Sequence, residues 1–537
     1  MRLAKAFFIA IIQLMKIFGK TYSREIILVG IALLAISFWF AYFSEPTVFT
    51  GRDQGSFAET AIQIVKNKSL NFSFPVEKEF FNVYGPGKAL NFPGFAYTQG
   101  GKLATQFPLG YSLWLAFFYA IFGLKGFAIA NALTFFIFAL FFYLLARLYL
   151  NLYPALTALL LILSSFVFAW IVKFTLSENL ALALIWPGLY FFARFYKDEK
   201  KRFLSAAIVF FGLFLFVRVE GIIFLLIALG ILLARYQKKI FSALGKANAW
   251  LISIIGVVYI LNIFINRYFY LNLIKNLLKS SLVSANGEQV GLFGEMLNVG
   301  QVLLAYGLII FIVMGIVGII WTFRQKNKEI IIPFLIIAPT FLYLFNPGIS
   351  DDHPWMLRRF VFTLIPICIF YTVWFLNRFF QKRIFIFYIL SLLLFLTNLS
   401  VSIPYFGFIP HRRLLQQIET LSYNFGEKDL ILVDQQATGD GWSMLAGPLQ
   451  FIFNKQAAYF LNPNDLARID KSRFSGIYFI IPDNNLGMYQ QSGLLSQMIP
   501  MKDYQINNQV LESENGSVSL PISKTLTVFG KIYKLEN

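Results

Sequence analysis

The chain has 537 residues, of which 58% are hydrophobic, 18% aromatic and 14% charged, with a net charge of +19. Soluble globular proteins carry about 25% charged residues, and here several uncharged apolar runs reach the ~20 residues needed to cross a bilayer, so a soluble globular protein is excluded. The lone cysteine, Cys368, and two distant histidines, His353 and His411, rule out an intrachain disulfide, a cysteine-based zinc site and a multi-histidine metal centre.

Residues 1–20 read as an amphipathic helix on the inner membrane surface, because Gln13 and Lys16 interrupt the apolar stretch and no cleavage site follows. Apolar runs then occur near 26–43, 107–122, 127–146, 155–172, 179–193, 203–217, 221–234, 248–265, 298–321, 330–345, 360–377 and 384–403. The run 107–122 is short and opens on Pro108 and Gly110. If it lies along the outer interface instead of crossing, the compact basic clusters fall on one face. These include Arg194 to Arg202, Arg235 to Lys239, Arg324 to Lys328 and Arg378 to Arg383. Anionic headgroups account for them, and no nucleic acid is needed. Only Arg358-Arg359 breaks the pattern.

The expected fold is therefore mainly α. A 1–24 cytoplasmic interfacial helix precedes a polytopic helical bundle over 25–403 with about eleven crossings. A large first outer loop (44–106, with juxtamembrane helices to 125) and an extracytoplasmic α/β domain over 404–537 complete it. The pair 203–235 turns at RVEG, 218–221. In the tail, HRRLLQQIETLSYNF (411–425) has helical apolar spacing, and DLILVD (429–434) and GIYFIIPD (476–483) read as buried strands. No Gly-rich phosphate motif or catalytic constellation is evident there, which suits an accessory or acceptor-binding role.

Charges at membrane depth are costly and mark functional candidates. On the predicted outer face lie Glu45, Asp53, Glu59, Glu77 and Glu79, then Lys173 and Glu178, then Arg218 and Glu220, then Asp351, Asp352, His353, Arg358 and Arg359. Each has a structural alternative. Ser56-Phe-Ala-Glu59 and Thr175-Leu-Ser-Glu178 both match a helix capping box. Asp53 is either a solvated loop aspartate or a general base. Arg358 and Arg359 either snorkel and pair with nearby aspartates or clamp a phosphate. Arg218 and Glu220 can simply pair with each other, His353 can be structural, and Lys102 an ordinary loop lysine.

The order of GRDQGSFAETAIQIVKNKSL, FPLGYSLWLAFFYAIFG, LSENLALAL and FVRVEGIIFLL resembles the GT-C glycosyltransferases, above all the branch with protein O-mannosyltransferases and aminoarabinose transferases of lipid A. The likeness runs over roughly 25–240. It implies a polyprenyl-phosphate-sugar donor, an extracytoplasmic glycan, lipid or protein acceptor, Asp53 as the catalytic base and Glu178 as a second acid. Gln54 stands where a second acid often follows the aspartate, so no metal is expected to be required, although the pattern leaves a divalent ion open. Arg358 and Arg359, with His353 or Lys102 assisting, would stabilise the leaving phosphate. A rival from another class, a transporter or flippase for a lipid-linked glycan, fits less well, since transporters place polar groups within the helices and carry internal repeats. A non-catalytic scaffold that binds a lipid-linked sugar is the remaining alternative.

Overall fold

A computed structural model describes residues 23–49, 53–282, 292–324, 328–348, 354–439, 444–513 and 518–536. The expected helix over 1–20 lies outside the described residues. Helices Arg24–Tyr42, Lys125–Tyr149 and Ile384–Phe406 are each long and apolar enough to cross a membrane, as is the stretch Gly221–Ile265. At ~1.5 Å per residue that stretch would far exceed a ~30 Å hydrocarbon core. It is divided where Gln237 (φ 45°) and Gly245 (φ 73°) leave the helical conformation. Two further spans form only if the bent pairs Gly294–Ala305 with Ile309–Phe323 (109°) and Trp355–Val361 with Leu364–Phe379 (58°) each count as one. The chain is thus an integral membrane protein by this measure. The expected total of about eleven crossings is not confirmed, because runs such as Leu109–Phe122, Leu152–Leu163 and Glu329–Leu344 form helices shorter than a full span.

Close helix packing comes from small residues. A Cβ at Gly315 would lie 2.7 Å from the Cα of Cys368, and one at Gly318 would lie 2.6 Å from the carbonyl of Tyr371. These two glycines let Ile309–Phe323 and Leu364–Phe379 approach backbone to backbone, the usual source of attraction where lipid removes the hydrophobic drive. Helix Ser177–Asp198 is buried along almost its whole length. It lies against Lys125–Tyr149 and Lys201–Phe214.

The segment between the first two long helices folds on itself. It carries helix Asp53–Asn67, helix Pro75–Tyr84 and four short strands, β1 (Asn71–Phe72), β2 (Gly87–Lys88), β3 (Phe95–Tyr97) and β4 (Leu103–Thr105), in the antiparallel order β1-β4-β3-β2. The tail forms a five-stranded mixed sheet. Its strands are β5 (Leu430–Asp434), β6 (Gln456–Phe460), β7 (Ile477–Pro482), β8 (Met498–Glu512) and β9 (Ile522–Leu535), in the order β6-β5-β7-β9-β8. β5 runs parallel to β6 and β7, and the β8–β9 hairpin adds antiparallel. The two sequence-predicted strands and the helix at Leu414–Ser422 are present.

Loop and tail share one core. Phe72, Phe80 and Phe95 pack with Phe451, Phe460 and Phe479. Polar links reinforce the junction. Asn91 Nδ2 donates to the carbonyl of Tyr459 at 2.5 Å, and Tyr459 N donates back to Asn91 O at 3.2 Å. Glu79 binds Arg473 at 3.0 Å and accepts from Asp470 N at 3.0 Å. Glu77 caps its own helix, accepting from Phe74 N at 2.7 Å and from Ser73 Oγ at 2.9 Å.

The capping-box expectation at Ser56–Glu59 fails. Helix Asp53–Asn67 is already formed at Asp53, so Ser56 lies inside it and its hydroxyl donates to Pro93 O at 3.2 Å. Glu59 is fully buried and neither carboxylate oxygen has a hydrogen-bond partner among the described residues. Burial pushes its carboxyl well above the ordinary range. The folded state therefore keeps a proton that the unfolded chain gives up near pH ~4.3. Stability is fully present below that pH and declines as pH rises towards the folded value. Thermal unfolding in micelles between about pH 5 and about pH 8 is expected to show the wild-type midpoint falling with pH. Glu59→Gln should flatten that slope and raise the midpoint at the alkaline end; a parallel slope in both proteins would refute the assignment.

Candidate functional site

Four separate chain segments build one polar cluster at the ends of the bundle helices. The first is the start of helix Asp53–Asn67. The second is the segment leading into helix Ser177–Asp198. The third is the turn between Lys201–Phe214 and Gly221–Tyr236, and the fourth is the short helix Arg358–Val361.

The second segment is fixed by buried amides. Asn131 Nδ2 donates to Val172 O (3.0 Å) and Phe174 O (2.8 Å), and Asn179 Nδ2 donates to Ile171 O (3.1 Å) and Phe174 O (2.7 Å). These bonds add side-chain donors to the carbonyls of a segment that has left the regular helical ladder, two of which also accept a backbone N–H. Lys173 donates to the carbonyls of Tyr405, Phe406 and Phe408 at 2.8, 3.0 and 2.6 Å. A cation at the C-terminus of Ile384–Phe406 has a structural role, and it separates Lys173 from the cluster. Thr175 then ties this segment to the first loop. Its hydroxyl donates to Gln54 O at 2.7 Å and its amide to Thr47 Oγ1 at 3.1 Å. The capping box expected at Thr175–Glu178 is therefore absent. The helix is preceded by Leu176 with no side-chain cap, and Glu178 is available for other partners.

Glu178 accepts from Arg218 Nη1 at 3.1 Å, and Arg218 Nη2 also binds Glu220 at 2.6 Å. Tyr343 donates to the same Glu220 oxygen at 2.5 Å, and the Arg218 guanidinium sits 4.9 Å from the Phe362 ring centroid. Burial by itself would raise the Glu220 carboxyl, but the charge and hydrogen bonds of Arg218, with Tyr343, outweigh it and bring it down to about 2. Arg358 Nη1 meets Asp53 Oδ2 at 2.6 Å, and its Nε lies 3.9 Å from Glu178 Oε1, beyond hydrogen-bond reach. Asp53 keeps 34% of its side chain exposed, against 3% for Glu178 and 9% for Arg218.

These groups line a pocket of about 180 Å³, with Phe57, Phe107 and Phe269 as apolar walls. Arg358 Nε and Arg359 Nε are buried in its lining without a hydrogen-bond partner among the described residues. Orphaned guanidinium donors are costly unless a ligand meets them, and their chemistry suits a phosphate or carboxylate.

The structure thus gathers Asp53, Glu178, Arg218, Glu220, Arg358 and Arg359. It does not bring Lys102 there: this lysine is exposed on the β3–β4 turn, and its charge is felt by Glu77. His353, Asp351 and Asp352 lie outside the described residues. Tyr343 and Phe362 belong to the site and were not singled out from sequence, because each sits within an apolar run where an aromatic residue carries no signal of its own. The side chain of Gln54 is buried, and neither of its polar atoms has a hydrogen-bond partner among the described residues. Among the described residues no group of three or more His, Cys, Asp or Glu side chains is arranged to hold a metal.

No protein-family description matches this sequence. No curated protein is detectably similar to it. Solved structures are. The archaeal oligosaccharyltransferase AglB from Archaeoglobus fulgidus, in complex with an inhibitory peptide and a dolichol-phosphate, aligns at 12% identity and a TM-score of 0.53, over 86% of this chain and 70% of that one. ArnT from Cupriavidus metallidurans, in the apo state, aligns at 11% identity and a TM-score of 0.52, over 95% of this chain and 98% of that one. The chain shares the fold of these two GT-C proteins. At such identities the likeness is one of fold, and it agrees with the resemblance carried by the sequence motifs. Because the ArnT alignment takes in 95% of the chain, the GT-C likeness extends into the C-terminal sheet as well as the helical bundle.

Proposed function

We propose that this protein is a membrane glycosyltransferase that takes a sugar from a polyprenyl-phosphate donor and attaches it, with inversion, to an extracytoplasmic acceptor. The observation that carries the reading is one pocket holding a carboxylate with 34% of its side chain exposed, Asp53, beside two guanidiniums, Arg358 and Arg359, whose buried Nε donors have no partner among the described residues. The pairing matches the needs of the reaction: a base for the incoming hydroxyl and a cationic seat for the departing phosphate. The dolichol-phosphate in the AglB complex is a molecule of that leaving-group class. An apolar cavity of about 370 Å³ between Lys201–Phe214, Gly221–Tyr236 and Ile240–Ile265 offers room for a prenyl chain, and its lining residue Leu215 lies three positions before Arg218.

In this reading the N-terminus is cytoplasmic in the plasma membrane, about eleven segments cross, and the loop and tail face outward. Donor phosphate draws Arg358 away from Asp53. The freed carboxylate removes the proton from the acceptor hydroxyl, whose oxygen forms a bond to the anomeric carbon. The bond from that carbon to the phosphate oxygen breaks, and its electron pair stays on the phosphate, held by Arg358 and Arg359. Arg218, clamped by Glu178 and Glu220, keeps this wall of the pocket in position.

Purified protein in micelles, given a panel of polyprenyl-phosphate sugars and acceptors, is expected to release polyprenyl phosphate in step with acceptor glycosylation. Binding of the donors without any release would overturn the proposal in favour of a transporter or scaffold. In the same assay Arg359→Gln should slow turnover about 100- to 1000-fold. Arg359→Lys should recover only part, since lysine restores charge without the planar fork.

A further inference from the structure

A second pair of cavities lies on the outer side of the same segments and is not used by the chemistry above. The first, about 250 Å³, is walled by Trp170, Phe174 and Trp355 on the bundle side and by Gln509 and Glu512 of β8 on the tail side. Trp355 stands edge-on to Trp170 (centroids 5.1 Å apart) and to Phe174 (5.0 Å). The second, about 560 Å³, is lined by Arg412, Arg413 and a set of amides and hydroxyls that includes Gln416, Asn507 and Gln509. Gln509 lines both, and its carbonyl accepts from His411 N at 2.9 Å.

The joint is built with care. His411 and Arg413 both hold left-handed backbone conformations, at φ 56° and 58°, which non-glycine residues adopt at a cost. Glu45 accepts from Arg413 N at 2.6 Å, and Gln417 exchanges hydrogen bonds with the backbone of Asn507 at 2.9 and 2.8 Å. These contacts fix the turn that presents Arg412. Lys524 pairs with Glu512 at 2.9 Å. Glu45 offsets part of the charge of Arg412 and Arg413, and the two arginines outnumber it and leave the outer groove net positive.

An apolar, aromatic wall facing amide and carboxylate side chains suits a sugar ring, which offers C–H faces to the aromatics and hydroxyls to the amides. A run of amides around an arginine pair suits further sugars that carry negative charge. Phe174 precedes Glu178 by four residues and Trp355 precedes Arg358 by three, so the aromatic wall and the charge cluster are carried on the same two chain segments. We infer that the two cavities form one groove for an acidic glycan acceptor, its reacting end at Trp355 and its charged chain passing over Arg412. The inference rests on the glycosyltransferase reading and names the acceptor class for that same site.

Binding is the test, kept separate from turnover. Purified protein in micelles is titrated with hexagalacturonate, with neutral maltohexaose and with inorganic polyphosphate, following tryptophan fluorescence and calorimetry. Hexagalacturonate is expected to bind best. Arg412→Ala should weaken it about tenfold, as loss of one charge-assisted contact predicts, with little change for maltohexaose. Trp355→Phe, which keeps an aromatic ring and so guards against misfolding, should weaken both sugars. Asp53→Asn should bind like wild type, and wild-type protein that binds hexagalacturonate yet transfers no sugar from any donor would count against the catalytic reading alone. Equal binding of polyphosphate, or hexagalacturonate binding indifferent to Arg412→Ala, or no binding of either sugar, would overturn the groove.

Discussion

Asp53→Asn is expected to lower sugar transfer by about 100- to 10,000-fold, the contribution of a positioned general base, while donor binding is retained or tightened. The reasoning follows from the ion pair at 2.6 Å between Asp53 and Arg358. Asparagine is isosteric but cannot take a proton from the acceptor. It also ends the competition between Asp53 and donor phosphate for Arg358, so the dissociation constant should fall or hold as the rate collapses. With a third of the Asp53 side chain exposed, the lost pair costs little stability, about 0–1 kcal/mol. The measurements are single-turnover transfer, donor affinity and the unfolding midpoint. A folded Asp53→Asn protein with wild-type transfer would remove Asp53 from the mechanism.

The second large effect belongs to stability. Arg218→Met leaves Glu178 and Glu220 buried without their shared counter-charge, and removal of one partner from such a set typically costs about 3–5 kcal/mol. Tyr343 alone remains on Glu220. The Arg218→Met/Glu178→Gln/Glu220→Gln protein should recover most of the loss, because neutral amides pay no penalty for a buried charge. The pH dependence separates the two. In wild type the Glu220 carboxyl is brought down to about 2, below the ordinary carboxylate value. Its contribution is thus present above that ordinary value and is lost only as pH falls through about 2, outside the working range. In Arg218→Met, Glu220 loses the guanidinium that holds it ionised, while Glu178 keeps Arg358 and Arg359 nearby, so acidification to about pH 5 should partly relieve the defect relative to about pH 8. Unfolding midpoints that drop equally in the single and triple variants would show that the triad carries no such coupling.

Several features were legible in the residues alone. Uncharged apolar runs of membrane length set the class, because only a helix satisfies its own backbone inside lipid. Alternation at RVEG, the buried runs LILVD and IYFIIP, and the apolar stripe Leu414, Ile418, Leu421 marked elements that the structure contains. Those are local signals, and local signals hold where burial and period coincide. The capping patterns at Ser56–Glu59 and Thr175–Glu178 misled for the same reason in reverse. A three-residue spacing says nothing about where a helix begins, and tertiary contacts began these helices elsewhere: helix Asp53–Asn67 before Ser56, and the other after Thr175 was drawn to Gln54. The long β8–β9 hairpin, polar on one face, offered no apolar run to find.

What tertiary structure alone decided is who stands beside whom. Asp53 and Arg358 come from distant parts of the chain, Arg218 reaches Glu178 on another helix, and the loop and tail merge around Phe72, Phe95 and Phe451. The sequence by itself determined that costly charges collect near the helix ends. Which of them neutralise one another, and which donors stay unmet and ready for a ligand, depends on distances of a few ångströms between segments far apart in the chain, and Coulomb and hydrogen-bond energies are settled at that range.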